Sequence, residues 1–383
     1  MAFSTSFRTR NEIISCKNLQ PENAALCALD IGYSALKGYS AKNRFCIPAY
    51  VRASEGVAIG SPLPTDIRYR DESSVVYSVG SLALDSIQAD DTNDADNTMF
   101  GRNRYFSKAF LILARVGLAL GVGPDNEKPV YLQTGLPPAY RAMDTDLIVE
   151  ALSGQHQFAL KLGGNDWVNY DIQLTPENIS VIDQPVGSVY CASKRNDGST
   201  VLTDDGKTYI DHNILVFDGG FGTLDIFSVM NRVINGTNTF DDLGMRAVFE
   251  RTAQDILQKY HTEVHAHTLQ RYLTDGAIAV FDRKTKSTKR QEISSLLKEN
   301  SRIICEMALD RLDTAYDNLM HYDYLIVTGG TGAAWMEIIK NHYSGFETLS
   351  VIAANQNEKN VPTIYNNVRG YYIYRALLLA QSA

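Results

Sequence analysis

Two short apolar runs in this chain end alike, in an aspartate followed by a glycine-bearing turn, and that repeated ending constrains the fold more than any other feature. Ala24-Ala25-Leu26-Cys27-Ala28-Leu29 runs into Asp30-Ile31-Gly32-Tyr33-Ser34-Ala35-Leu36-Lys37, and Ile214 to Phe217 runs into Asp218-Gly219-Gly220-Phe221-Gly222-Thr223-Leu224-Asp225. A third run, Tyr324 to Thr328, precedes Gly329-Gly330-Thr331-Gly332-Ala333. Each reads as a buried strand closed by a tight turn. Glycine lets the main chain approach phosphate oxygens without a Cβ clash, and successive N–H groups then cradle the anion. A carboxylate beside such a turn can hold Mg²⁺ through its waters, since that ion dehydrates reluctantly. Asp30 and Asp218 stand where this is needed, Lys37 would bring a cation to the phosphates, and the hydroxyls of Ser34 and Thr223 would add donors. A single glycine pair after a strand is more often a plain hairpin or loop. Two phosphate-type turns in separate halves of the chain, each with its own leading aspartate, are the strong signal.

The chain has 383 residues, 44% hydrophobic and 21% charged, enough for a large core and, at about 100–200 residues per domain, for two or more lobes. It has no continuous run of about 18 uncharged apolar residues, so no membrane contact is expected. Thirty-six basic against 44 acidic residues leave a net charge of −8, which argues against direct contact with nucleic acid and for contact through an adaptor. Five scattered cysteines without a Cys-x-x-Cys pair indicate neither a disulfide framework nor a zinc ribbon, and a cytoplasmic setting follows.

Along the chain, residues 1–23 read as an N-terminal extension whose first eleven residues, rich in Ser, Thr and Arg and without acids, are expected to fray, an organelle transit peptide being the alternative. Residues 45–103, polar, with Pro48, Pro62, Pro64 and the acidic stretch Asp90 to Asp96, read as an inserted small subdomain. Tyr105 to Leu120 is a core helix interrupted by Arg115, and Val130 to Thr134 a strand. Between Ser193 and His212, Asn196-Asp197-Gly198 and Asp204-Asp205-Gly206 are turn signals. Gly244 to Met320 is mostly helical in pattern, with the basic run Arg283 to Arg290 expected as a surface loop.

Taken together, the three turns resemble the nucleotide site of the actin-like ATPase superfamily: Asp30 to Lys37 its first phosphate motif, Asp218 to Asp225 its second, Thr328 to Ala333 its adenosine motif. Within it the chain is most similar to the ParM/StbA plasmid-segregation actins. Thr134-Gly135-Leu136-Pro137 with Tyr140, Val79 to Ala83, Leu243-Gly244-Met245 and Asn366 to Tyr372 resemble further segments of that group.

The resemblance implies an α/β, actin-like (ribonuclease H-like) two-lobed fold: duplicated mixed five-stranded sheets flanked by helices, with a nucleotide cleft between the lobes. Lobe I would be residues 24–186 with the 45–103 insert, lobe II residues 187–359 with an insert at 241–320, and residues 360–383 would return to lobe I. It also implies ATP or GTP with Mg²⁺ held through water by Asp30 and Asp218. The phosphates would meet Gly32, Tyr33, Ser34, Lys37, Gly219, Gly220, Phe221, Gly222 and Thr223. Gly329, Gly330 and Thr331 would face the purine and ribose from one side, and the helix opening at Gly244 from the other. Arg246 and Glu250, four apart on that helix, are candidates for ribose or base contacts or else an ordinary surface ion pair.

For hydrolysis, Ile182-Asp183-Gln184-Pro185 resembles the family's connecting segment, in which a Glu or Gln before Pro orients the attacking water. Gln184 is the implied catalytic residue together with Asp30 and Asp218, with Asp183 the adjacent alternative. The plasmid group is expected to carry Glu here. A neutral amide orients water but is a poor base, so hydrolysis should be slow, as suits a timer. The implied function is a nucleotide-dependent filament-forming ATPase, assembling head to tail and segregating plasmid DNA through a DNA-binding adaptor. A monomeric small-molecule kinase or phosphatase on the same fold is the competing function, although the dedicated acidic base and facing substrate pocket it needs are not evident. His261, His265 and His267 lack the further ligands of a metal site and read as a solvated helix face.

Overall fold

The computed structural model describes residues 7, 9–54, 61–86, 102–195, 201–273, 275–282 and 284–381. The acidic stretch Asp90 to Asp96 and the Asn196-Asp197-Gly198 turn lie outside the described residues, as does the side chain of His267. The chain forms two compact units, a larger one of residues 9–208 with 354–383 and a smaller one of residues 1–8 with 209–353.

In chain order the larger unit contains strands β1 (Glu12–Ser15), β2 (Ala25–Ile31), β3 (Ala35–Ser40), β4 (Asn43–Pro48), β5 (Val51–Ala53), β6 (Ile67–Arg70) and β7 (Val76–Val79). Helices α1 (Ser81–Leu84) and α2 (Lys108–Val122) follow, then β8 (Val130–Leu136), α3 (Pro138–Leu152), β9 (Gly154–Leu162), β10 (Val168–Leu174), β11 (Ile179–Asp183) and α4 (Gln184–Ser193). After α5 (Asp204–Ile210) the smaller unit has β12 (Ile214–Gly219), β13 (Leu224–Met230), β14 (Val233–Phe240), α6 (Met245–Tyr260), α7 (Ala266–Tyr272), β15 (Ala277–Asp282), β16 (Ser287–Glu292), α8 (Ser294–Ala315), β17 (Tyr324–Thr328), α9 (Gly329–His342) and β18 (Ser350–Ala353). The last helix, α10 (Asn366–Gln381), belongs to the larger unit again.

One sheet topology occurs twice. In the larger unit the order is β4-β3-β2-β8-β11, and in the smaller β14-β13-β12-β17-β18. In each, a three-stranded antiparallel meander comes first and two parallel strands are added beyond its first strand. The larger unit has one addition, β1, which extends its sheet to six strands by pairing with β4. A second sheet there, β10-β9-β6-β7-β5, takes two of its five strands from residues 154–174.

Alternation along β2 decides where its aspartate goes. Ala25, Cys27, Leu29 and Ile31 join the cluster built on α2, whereas Leu26 and Ala28 join the cluster of Val368, Tyr371 and Tyr372 on α10. With a side-chain period of two, Asp30 shares the α10 face. That face is closed by α4 packed tightly on α10: a Cβ on Gly370 would lie 1.7 Å from the carbonyl oxygen of Gly187, so the two backbones meet with no room for a side chain.

Within the 1–23 extension β1 pairs with β4, the Tyr365 hydroxyl donates to Glu12 at 2.8 Å and the Tyr372 hydroxyl donates to the Leu19 carbonyl at 2.7 Å. Three local readings are corrected. Asp204-Asp205-Gly206 opens α5, because Thr203 Oγ1 accepts from the Gly206 N–H at 3.0 Å and caps the helix. The basic run at 283–290 is half strand, since β16 pairs with β15 along its length. Gly329 to Gly332 is the first turn of α9.

Arg115, on the apolar helix α2, is buried and fully engaged. It donates from Nη1 to the Tyr69 hydroxyl at 2.6 Å and from Nε to His156 Nδ1 at 3.2 Å, and pairs with Glu72 at 2.7 Å. His156 Nε2 in turn donates to the Leu152 carbonyl at 2.9 Å, so the neutral ring satisfies both nitrogens. Burial is the main cause that holds the His156 pKa below its usual value; the Leu152 bond opposes this and the Arg115 charge adds to it. Below about pH 6.5 the unfolded chain therefore takes up a proton that the folded chain refuses. Stability should fall as pH drops through about 6.5, by up to about 1.4 kcal/mol per pH unit, until the folded ring also protonates. Urea titrations of wild type and His156→Gln between pH 5 and 8 should show that slope reduced in the variant.

Candidate functional site

The two aspartate-led hairpins have the same geometry. In the first, Asp30 lies opposite Lys37 and the Gly32 N–H donates to the Ala35 carbonyl at 2.9 Å. In the second, Asp218 lies opposite Asp225 and the Gly220 N–H donates to the Thr223 carbonyl at 2.9 Å. Both aspartates are buried at the ends of the leading strands. The residues across from them differ, and the electrostatics differ accordingly.

In the larger unit Lys37 Nζ donates to Asp30 Oδ2 at 2.9 Å, and Gln184 Nε2 reaches Asp30 Oδ1 at 3.4 Å. Gln184 opens α4, whose first turn also holds Pro185, the residue type suited to a position with no backbone donor to satisfy. The structure thus brings Asp30, Lys37 and Gln184 together around the first turn. Tyr33 and Ser34 form its half-buried tip, with the Ser34 carbonyl accepting from the Ala49 N–H at 2.9 Å. Asp183, the neighbour of Gln184, accepts from Arg141 Nε at 2.8 Å. Burial raises its pKa, and the Arg141 charge opposes the rise.

In the smaller unit the turn after β12, the start of α9 and the start of α6 meet backbone to backbone. Gly329 has φ of +79°, and a Cβ there would stand 2.2 Å from the Gly219 carbonyl oxygen and 2.8 Å from Asp218 Oδ1. Only glycine meets both demands without strain. A Cβ on Gly244 would stand 2.4 Å from the Phe221 oxygen, and the N–H of Arg246 donates to that oxygen at 2.8 Å. Thr331 Oγ1 donates to the Gly220 carbonyl at 2.6 Å, tying α9 to the turn. Gly219, Gly220, Phe221, Gly222, Thr223, Gly329, Gly330 and Thr331 therefore form one assembly with Asp218 at its edge.

The Thr223 hydroxyl, expected as a donor to phosphate, donates within its own hairpin, from Oγ1 to Asp225 Oδ2 at 3.0 Å. Asp225 also accepts from Thr239 Oγ1 at 2.7 Å, so its charge is taken up within its own sheet. Arg246 and Glu250 approach at 3.5 Å as a solvent-exposed pair one helical turn apart. Among the described residues no cluster of three or more His, Cys, Asp or Glu side chains could cage a metal. One or two carboxylates with phosphate oxygens and water is the set that Mg²⁺ prefers, and the buried aspartate at a strand end in each unit is a donor of that kind. Sequence reasoning missed Arg104, whose guanidinium lies 4.4 Å from the Tyr33 ring centre. No local pattern links an arginine ahead of α2 to a turn after β2.

Residues 28–187 match the family model of the actin-like proteins' N-terminal domain. The solved structures add the rest of the chain. The fold is actin-like. A pCBH ParM non-polymerisable quadruple mutant is 19% identical, with a TM-score of 0.70 over 93% of this chain and 100% of that one. A 15-stranded ParM filament from Clostridium botulinum is 18% identical, with a TM-score of 0.72 over 93% and 99% of the two chains. The archaeal actin homologue Ta0583 in complex with ADP is 14% identical, with a TM-score of 0.63 over 94% and 100%. No curated protein sequence matches the chain. At these identities it is the actin-like architecture, with its doubled sheet, that is shared.

Within the actin-like chain the Asp30–Lys37 pair is nearly enclosed, its side chains 4% and 20% exposed. Removing one partner strands a buried charge, a loss of about 3–5 kcal/mol for a fully buried pair and about 2–3 kcal/mol at this exposure. Lys37→Met should therefore lower the free energy of unfolding by about 2–3 kcal/mol, measured by denaturant titration, and restoring a cation with Lys37→Arg should recover part of it.

Proposed function

We propose that this actin-like chain binds a nucleoside triphosphate, ATP or GTP, with Mg²⁺, assembles head to tail into a filament, and hydrolyses the nucleotide slowly enough for hydrolysis to time disassembly. The observation that carries the reading is the repetition of one hairpin geometry in two units, each with a buried aspartate beside a glycine turn. A single fold unit with such a turn would suit many roles. Two of them, in the doubled topology described above, suit a ligand with several phosphates.

In this reading the N–H groups of Tyr33 and Ser34 and of Phe221 to Thr223, at the tips of turns closed by Gly32 and Gly220, receive phosphate oxygens, and Asp30 and Asp218 would hold the ion through water. Mg²⁺, when bound, would neutralise charge on the phosphates. Gln184, anchored by its amide nitrogen on Asp30, turns its amide oxygen toward an attacking water and positions it. An amide contributes orientation and little basicity, which keeps the step slow. Gly329, Gly330 and Thr331 line the purine and ribose side, with Arg246 and Glu250 at the opening of α6. A ParM filament among the similar folds supports self-association as the output. A contact between unlike surfaces that does not close into a ring builds an open filament. The net charge of −8 favours cargo capture through a DNA-binding adaptor, as in plasmid partition, over direct DNA contact. Among the described residues no helix is long and apolar enough to cross a membrane, and a cytoplasmic location belongs to the same reading.

Purified protein with ATP or GTP and Mg²⁺ should scatter light above a critical concentration, sediment, and show filaments by electron microscopy. Asp218→Ala should abolish all three. Gln184→Ala should still assemble but release phosphate about 100-fold more slowly, leaving longer-lived filaments. Persistently monomeric protein that phosphorylates a small metabolite would favour a kinase and sink the filament reading.

A further inference from the structure

We propose that Arg104 is a positioning residue for the first turn, clamping Tyr33 by its ring face and setting a fixed positive charge beside the hairpin; the proposal rests on the nucleotide reading above. Arg104 lies in the short 3₁₀ segment Arg102–Phe106 ahead of α2 and is only 5% exposed. Its guanidinium carbon is 4.4 Å from the centre of the Tyr33 ring, 5.5 Å from that of Tyr105 and 6.0 Å from that of Phe110. Its Nη1 is buried and has no hydrogen-bond partner. Among the described residues no carboxylate pairs with it. Asp144, itself buried, accepts a hydrogen bond from the Tyr105 hydroxyl at 3.1 Å.

A guanidinium in such a place is costly. Desolvating the charge and leaving a buried donor without an acceptor both oppose the arrangement, and stacking on an aromatic face offsets only part of that cost. A methionine or leucine would fill the same space more cheaply, so packing alone does not account for an arginine here. Lys37, the cation expected to serve the phosphates, is engaged by Asp30 at 2.9 Å, and the charges of that pair cancel. Among the described residues Arg104 is thus a cation beside the turn with no carboxylate in ion-pair contact, and a polyphosphate at the turn would match its charge. Tyr33 connects the two: it sits between Gly32 and Ser34, so holding its ring also holds the peptide groups that would face the anion.

A fixed charge acts in proportion to the charge of its ligand, which distinguishes it from support of the fold alone. The test measures binding of fluorescent nucleoside triphosphate and diphosphate analogues to the full chain at low and moderate salt. Arg104→Met should weaken the triphosphate about 10-fold and the diphosphate less than about 3-fold, with a shallower salt dependence. Arg104→Lys, which keeps the charge, should restore most of the triphosphate preference. Tyr33→Leu should weaken binding as well, and combining it with Arg104→Met should do no further harm, since the two act as one unit.

An unchanged triphosphate-to-diphosphate ratio in Arg104→Met, or strictly additive effects of the two substitutions, would overturn the proposal. If Arg104→Met fails to fold by circular dichroism, the Lys and Tyr33 variants decide: equal losses for both nucleotides in both variants reject it. Wild-type protein that binds neither nucleotide rejects the nucleotide reading itself, and this proposal with it. Wild-type binding with an unchanged ratio in the variants rejects the role of Arg104 alone.

Discussion

Direct backbone contact at glycine is the constraint on which the smaller unit's candidate site depends. Three segments distant in sequence, the turn after β12, the start of α6 and the start of α9, touch main chain to main chain because Gly219, Gly244 and Gly329 carry no side chain. Such contact fixes peptide groups more rigidly than side-chain packing does, since nothing between them can change rotamer. The hydrogen bond from Thr331 to Gly220 then locks the arrangement. The larger unit uses the same device elsewhere, where Gly187 and Gly370 let α4 press onto α10 and so place Gln184 beside Asp30.

The two hairpins share a backbone geometry and differ in their charges. The first hairpin sets a lysine across from its aspartate, and the second sets another aspartate there. Two carboxylates facing each other would repel, and the second hairpin avoids this by giving Asp225 two hydroxyl donors, Thr223 and Thr239. The first hairpin instead forms an ion pair and has an arginine stacked on its tip. The two turns therefore offer similar N–H geometry in different electrostatic settings.

Much of the fold is legible in the sequence because its strands are buried on both faces and read as unbroken apolar runs. β17 is found at the residues expected, Tyr324 to Thr328, and β2 and β12 end at or just beyond their aspartates. What the sequence concealed has a different cause. β1 is a short, half-buried edge strand that pairs with β4 and accepts a hydrogen bond from Tyr365, more than 300 positions away. β16 is almost wholly exposed and made of polar residues, so only its pairing with β15 makes it a strand. The α5 sequence contains a glycine and two aspartates that suit a turn equally well, and the Thr203 cap decides between them.

What the residues alone determined was the set of local demands: an aspartate at the end of two buried strands, glycine where the chain must turn or be approached, and a Gln-Pro step at a helix opening. Those demands are local because they follow from backbone sterics and side-chain chemistry within a few positions. The tertiary structure decided the pairings. It gave Lys37 to Asp30, turned the hydroxyls of Thr223 and Thr331 inward, seated Gln184 against Asp30 and laid Arg104 on Tyr33. Partners far apart in the chain compete for the same donors and charges, and which of them wins depends on distances that exist only once the sheets and helices have packed.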